Sequence, residues 1–222
     1  MAQKTAIVLG ATGLCGSILL QILLNDNRYK KVKLFSRKTV GISDEKLQEH
    51  LIDLLKLSDH ESDFLADEVF CCIGTTRAKT PDKALYRKID FGIPVSAAAL
   101  CKKNKIRTFV VISALGANAE SSIFYNKLKG QMENAMVSMG ISKIHILQPS
   151  FIAGYREENR PGEWFAKKVF LVLNTLLVGP LRKYRSINPE TIARCMLWLA
   201  NNSYDRVKIP SDQIVKLGKM EG

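Results

Sequence analysis

Thr5-Ala6-Ile7-Val8-Leu9-Gly10-Ala11-Thr12-Gly13-Leu14-Cys15-Gly16, running on through Ser17 to Leu24, is the stretch whose reading decides the fold. Thr5 to Leu9 is a short apolar run rich in β-branched residues, the pattern of a strand buried on both faces. Thr12 to Leu24 reads as a helix with an apolar face at Leu14, Ile18 and Ile22. Three glycines lie between and within these elements, and each has its own reason to be there. Gly10 permits a tight turn, Gly13 lets a ligand approach the backbone, and Gly16 lets the helix pack close to the strand. A glycine cluster alone says little. One that ends a strand and opens a helix suits a pyrophosphate, because the first N–H groups of the helix are unpaired and face the anion. The competing reading is a purely structural strand–helix turn.

Outward from this turn, strands and helices alternate. Val32 to Phe35 is a second strand, Leu47 to Ile52 a third and Val69 to Ile73 a fourth. A long helical stretch follows from about Pro81 to Asn104, with Gly92 and Pro94 as candidate break points. Phe109 to Ile112 is a fifth strand. Ser121 or Ser122 is positioned to cap a helix that runs to about Ser138 and stops at Gly140. Ile144 to Leu147 is a sixth strand, ended by Pro149. Six strands separated by crossovers predict an α/β, Rossmann-type, doubly wound and mainly parallel sheet. Beyond Pro149 the pattern loosens. It holds an apolar helix from about Glu163 to Leu177, a helix opened by Asn188-Pro189 and a last short strand near Ile214 to Leu217. The expectation is one domain over 1–222, with 150–222 contributing a small C-terminal, substrate-side lobe.

Composition narrows the function classes. The chain has 222 residues, enough for one well-buried domain. No secretory signal is visible at Met1 to Lys4, and no apolar run reaches the ~20 residues that span a bilayer. The five cysteines (Cys15, Cys71, Cys72, Cys101, Cys195) are odd in number and lack metal spacing. They read as reduced thiols, with the cytoplasm as the expected compartment and no metal site. Net charge is +12, from 33 basic and 21 acidic residues in short scattered clusters. Without a nucleic-acid motif, this reads as a solvated basic surface that also attracts anionic cofactors.

Two further segments bear on the cofactor. The second strand ends Phe35-Ser36-Arg37-Lys38. A site for NAD places an acid about there, to bind the ribose 2′-hydroxyl. Here Arg37 offers a planar fork for a 2′-phosphate and Lys38 adds charge, which favours NADP(H) over NAD. Asp53-Leu54 suits the edge and face of an adenine. Cys72-Ile73-Gly74-Thr75-Thr76 ends the fourth strand at the crevice, with Gly74 allowing close approach and the threonines able to hydrogen-bond, Thr76 toward substrate. Either segment could equally be a plain loop.

Tyr125 and Lys129 are spaced i, i+4 on a predicted helix and share a face. A nearby ammonium lowers a tyrosine pKa, which suits proton transfer at a carbonyl or hydroxyl oxygen, and the same Tyr125–Lys129 pair is expected at the cofactor, with Lys129 able to hold the ribose hydroxyls. Ser113, at the end of the fifth strand, is placed to hydrogen-bond that oxygen. The glycine turn, Ser113 and Tyr125-x-x-x-Lys129 together resemble the extended or atypical short-chain dehydrogenase/reductases. Phe70-Cys71-Cys72-Ile73-Gly74-Thr75-Thr76-Arg77, Gln148-Pro149-Ser150-Phe151-Ile152 and Asn159-Arg160-Pro161-Gly162-Glu163-Trp164 look like the HIV Tat-interacting oxidoreductase group. Bacterial relatives of that group are often labelled nucleoside-diphosphate-sugar epimerases. The resemblance implies an NADP(H)-binding fold with Ser113, Tyr125 and Lys129 in catalytic places. It also implies that Pro149, Phe151 and Ile152 lie against the nicotinamide. Arg160 either binds an anionic substrate or pairs with Glu157, Glu158 or Glu163.

Two function classes follow. One is an NADPH-dependent oxidoreductase acting on a small carbonyl or alcohol. The other is a non-catalytic NADP(H)-binding sensor with a protein partner. In a fluorescence titration NADPH is expected to bind more tightly than NADH; equal affinities would overturn the reading of Arg37 and Lys38.

Overall fold

The computed structural model describes residues 3–153 and 184–221. Its strands are β1 (Lys4–Leu9), β2 (Tyr29–Ser36), β3 (Leu47–Leu51), β4 (Glu68–Cys71), β5 (Thr108–Ile112), β6 (Lys143–Gln148) and β7 (Lys208–Pro210). They form one sheet in the order β3-β2-β1-β4-β5-β6-β7, and every pairing is parallel. The register brings the strand ends level. Leu9 lies beside Phe35 on one side and Cys71 on the other, and Cys71 lies beside Val111. Gly10, Ser36, Cys72 and Ser113 therefore emerge along one edge of the sheet.

The helices are α1 (Leu14–Asn25), α2 (Lys83–Arg87), α3 (Ile93–Lys103), α4 (Phe124–Ser138), α5 (Pro189–Asn201) and α6 (Ser211–Gly218). Alternate strand residues feed two separate cores. Ala6, Val8, Phe70 and Val110 pack with Leu19, Leu20 and Leu23 of α1 and with Ile192 and Met196 of α5. Ile7, Leu9, Val69 and Phe109 pack with Ala97 and Cys101 of α3 and Met132 and Met136 of α4. The neighbours Cys71 and Cys72 divide between these two cores, as a strand's period of two demands. Each fully buried Leu or Phe contributes about 1.5–3 kcal/mol, so both faces of the sheet are strongly held.

Several elements differ from the sequence expectation. The buried face of α1 is Leu19, Leu20, Leu23 and Leu24, while Leu14 is exposed at the mouth of the turn. The helical stretch after residue 81 does not break at Gly92 or Pro94. It widens through a π turn at Lys88–Gly92, which accommodates a proline that has no N–H to donate. Neither Ser121 nor Ser122 caps α4: Ile123 is the N-cap, and the Ser121 hydroxyl accepts the Ile123 N–H at 3.2 Å in a turn before it. Ile214 to Leu217 is helical rather than extended. Ile214 and Leu217 share the buried face of α6, and the last strand lies just before it.

The expected cap at Asn188 is present, its side chain accepting the Glu190 N–H at 2.9 Å. Beyond residue 150, the described elements add a strand to the sheet edge and two helices, α5 and α6, to the α1 face. The expected helix at 163–177 lies outside the described residues.

Candidate active site

β1 leaves the centre of the sheet and turns at Gly10, whose φ of +85° is comfortable only for glycine. A Cβ there would also meet the Cys72 carbonyl at 2.9 Å. At Gly16 a Cβ would sit 2.1 Å from the Gly10 carbonyl oxygen, so α1 can cross the end of β1 only with glycine at that position. The Gly13 N–H donates to the Gly10 carbonyl at 3.0 Å, closing the turn. The Gly13 cap has no side-chain hydrogen bond, and the first turn of α1 carries no acid. The first N–H groups of α1 are thus open toward an anion, which fits a pyrophosphate. Thr12 and Leu14 are exposed on the same turn.

Around this turn the sheet reverses its winding between β1 and β4, the crevice in which open α/β sheets take ligands. Arg37 and Lys38 follow β2 directly and are exposed. Asp53 caps a short 3-10 turn, Leu54–His60, its carboxylate accepting the Leu55 N–H at 3.0 Å. Asp53 and Leu54 line a groove of about 420 Å³ with Gly92, Ile93 and Ser96, flanked by Lys56 and Lys88. The groove's size and mixed lining suit a flat heterocycle. Cys72 and Ile73 are half-buried, and Gly74 is open, with only an Asp90 oxygen at 3.8 Å from its would-be Cβ. Thr75 exchanges a hydroxyl hydrogen bond with Thr80 at 2.8 Å, and the Thr76 carbonyl accepts from Lys79 and Thr80. Pro149 is buried and its carbonyl accepts the Leu115 N–H at 2.9 Å. Phe151 is exposed, and Ile152 bridges to Ile187. Arg160 lies outside the described residues.

α4 presents Tyr125, Lys129 and Glu133 at successive i+4 positions, and the last two are buried. The Lys129 ammonium pairs with the Asp90 carboxylate at 2.9 Å, and both side chains are nearly inaccessible. Asp90 also accepts the Thr75 N–H at 2.7 Å. Burial works against the Lys129 charge, but the neighbouring Asp90 and Tyr125 outweigh it and hold the ammonium above its ordinary range. Burial is also the largest influence on Tyr125, although 37% of the residue is exposed. Lys129 pulls the phenol down and Asp90 pushes it up, and the net result lies above the ordinary tyrosine range. The expectation that Lys129 would lower the Tyr125 pKa is corrected chiefly by burial of the phenol, with Asp90 adding a smaller push in the same direction.

Ser113 is also corrected in detail. Its hydroxyl is buried and donates to Glu133 at 2.5 Å, so the proton expected for a substrate oxygen is already committed. Glu133 is fully buried and further held by the Gln148 amide at 3.0 Å and the Lys208 ammonium at 2.9 Å. Sequence reasoning missed Asp90 and Glu133. The one available signal for Asp90 was an acid between Ile89 and Phe91 in a helical stretch.

This sheet order, with a glycine turn at its switch point and a Tyr–Lys pair after β5, defines a nucleotide-binding fold of the short-chain dehydrogenase/reductase type. Residues 6–148 match the NAD dependent epimerase/dehydratase family, and the chain belongs to it. Within it the chain groups with the atypical members related to HTATIP2. It is 32% identical over 174 residues to protein HTATIP2 of Rattus norvegicus, covering 77% of this chain and 72% of that one. It is 32% identical over 194 residues to protein FMP52-1, mitochondrial, of Scheffersomyces stipitis, covering 84% and 79%.

Among solved structures it resembles a UDP-N-acetylglucosamine 4-epimerase from Methanobrevibacter ruminantium M1 in complex with UDP-N-acetylmuramic acid. The TM-score is 0.69 at 19% identity, over 95% of this chain and 77% of that one. It also resembles the Bordetella bronchiseptica enzyme WbmH in complex with NAD+, with TM-score 0.65 at 14% identity over 91% and 74%. These two likenesses show the shared fold. The cytoplasmic expectation is overturned, because FMP52 relatives are named mitochondrial, which points away from a purely cytoplasmic location. The five cysteines are unpaired in this structure, which names no compartment.

Replacing Ser113 with Ala is expected to strip Glu133 of a buried donor and lower the unfolding free energy by about 1–3 kcal/mol. Urea unfolding measures this, and a variant as stable as the parent would contradict the contact with Glu133.

Proposed function

We propose that the protein is an NADP(H)-dependent oxidoreductase acting on a small carbonyl or alcohol substrate. The observation that carries this reading is that Tyr125 stands one turn before the buried, Asp90-paired Lys129 on the helix that follows β5, in a sheet whose β1 ends in an open glycine turn. The residues that would hold the dinucleotide are Gly10, Thr12, Gly13, Leu14 and Gly16 at the pyrophosphate, and Arg37 and Lys38 at the 2′-phosphate. Asp53 and Leu54 would meet the adenine. Cys72, Ile73, Gly74, Thr75, Pro149, Phe151 and Ile152 would line the nicotinamide half. When bound, the reduced nicotinamide supplies a hydride to the substrate carbon.

The chain's own part is proton handling and orientation. Tyr125 holds the proton destined for the substrate oxygen, and its partly exposed position lets it recover one from solvent. Lys129 supplies fixed positive charge beside the tyrosinate that remains after transfer. With the Ser113 hydroxyl bound to Glu133, the role nearest the substrate oxygen falls to Tyr125 alone among the residues first singled out.

The Tyr125→Phe protein is expected to bind NADPH as the parent does and to lose at least about 100-fold in kcat, the scale of a general acid's contribution. NADPH oxidation across a carbonyl panel measures the loss; undiminished turnover would remove Tyr125 from the chemistry.

A further inference from the structure

The loop after β4 and helix α2, residues 74–88, carry five basic residues against one acid. Two of the five are engaged. Arg87 lies over the Phe91 ring at 4.6 Å and donates to Gln131 at 2.9 Å, and Lys88 flanks the groove at Asp53. The acid, Asp82, caps α2 by accepting the Ala84 N–H at 2.9 Å. Arg77, Lys79 and Lys83 are exposed, and so is Lys127 of α4. Among the described residues none of these four forms an ion pair. None of them takes part in the binding mode proposed for the dinucleotide, whose phosphates fall at the glycine turn and at Arg37 and Lys38.

The same bases meet an exposed apolar patch at the amino end of α4. Phe124 is 40% exposed and Ile123 60%. The Lys83 ammonium lies 5.8 Å from the centre of the Phe124 ring, within reach of its negative face. Lys127 follows Phe124 by three positions and shares its side of the helix. Tyr86 supports the Phe124 ring edge-on at 5.7 Å, and its hydroxyl donates to the Thr75 carbonyl at 3.1 Å. Thr75 shares a hydroxyl hydrogen bond with Thr80 at 2.8 Å, which closes the loop segment bearing Arg77 and Lys79. Burial holds the Tyr86 phenol above its ordinary range, and the nearby Asp90 and Tyr125 add to it. The ring that supports Phe124 therefore stands near the Tyr125 phenol.

We propose that this mouth takes an anionic group of the substrate: the carbonyl compound carries a carboxylate or phosphate on a flat apolar body that lies on Phe124 and Ile123, with Lys83 and Lys127 meeting the charge. This rests on the reading of Tyr125 as the proton-transferring group. An anion placed there gains charge-assisted hydrogen bonds from two ammoniums that lack an acidic partner. Lys83 is already held over the ring, so less side-chain freedom is lost when the anion arrives. A net charge of +12 attracts anions of every kind. The aromatic ring beside the two ammoniums adds a preference for a flat apolar body.

The test is calorimetry on the full chain with NADPH present, using naphthoate and its neutral isostere naphthamide as probes. Naphthoate is expected to bind at least about tenfold more tightly. The double variant Lys83→Gln, Lys127→Gln shortens neither side chain greatly and removes both charges. In it the preference is expected to fall to about twofold or less, with naphthamide binding unchanged. Lys30→Gln, at the opposite edge of the sheet, is expected to keep the native preference. Equal affinities of the native protein for the two probes overturn the proposal, and this needs no variant. A preference that survives the double variant, or that falls as far in Lys30→Gln, also overturns it, because the chain's overall charge would then be the cause. Absence of turnover across a carbonyl panel, with the naphthoate preference intact and dependent on Lys83 and Lys127, would refute the oxidoreductase reading and leave the anion site standing. Equal kcat/KM for carboxybenzaldehyde and its methyl ester, with equal binding of the two probes, would do the reverse.

Discussion

A Cβ at position 16 would lie 2.1 Å from the Gly10 carbonyl oxygen, and the rest of the structure depends on that contact staying open. It lets α1 cross the end of β1 at backbone distance. That crossing directs the first turn of α1, without a side-chain cap, toward the carboxyl edge of the sheet. The register then delivers the ends of β2, β4 and β5 to the same edge, since Leu9, Phe35, Cys71 and Val111 lie level across it. One close approach between two backbones thus determines where a dinucleotide fits.

Buried charge organises the other half of the site. α4 faces the sheet with a lysine and an acid one turn apart, and neither is left alone. Lys129 is met by Asp90 from the π turn, and Glu133 by Ser113, Gln148 and Lys208 from the ends of β5, β6 and β7. Burying such groups stabilises little by itself, but removing one partner leaves the other uncompensated. The result is that α4 is tied at two points to the strands and loop that frame the crevice. Tyr125 is carried at the exposed end of that helix, where solvent and substrate can reach it.

Much of this was legible in the sequence because it obeys short-range rules. The five central strands, β2, β1, β4, β5 and β6, hold apolar runs of the right length, and the turn between β1 and α1 declares itself through Gly10, Gly13 and Gly16. The misses share a cause in contacts between residues distant along the chain. Ser113 looks like a substrate ligand until Glu133, twenty positions on, is seen to take its proton. Tyr125 looks like a lysine-activated base until burial of its phenol is seen to outweigh Lys129, whose own charge is met by Asp90 across a helix that widens instead of breaking. Ile214 to Leu217 is too short for its period to distinguish strand from helix, and packing on the sheet face made it helical.

In the proposed binding mode the Arg37-Lys38 pair and the groove at Asp53 and Leu54 take the adenosine end, and Thr75 and Tyr125 the other end. An extended ligand lying across the switch point should therefore touch backbone amides on two strands at once. Amide hydrogen exchange measured with and without NADPH tests this most directly. The account predicts slowed exchange at 13–17 and at 72–75 on adding the dinucleotide. Unchanged exchange in both segments, or protection confined to the opposite edge of the sheet, would contradict it.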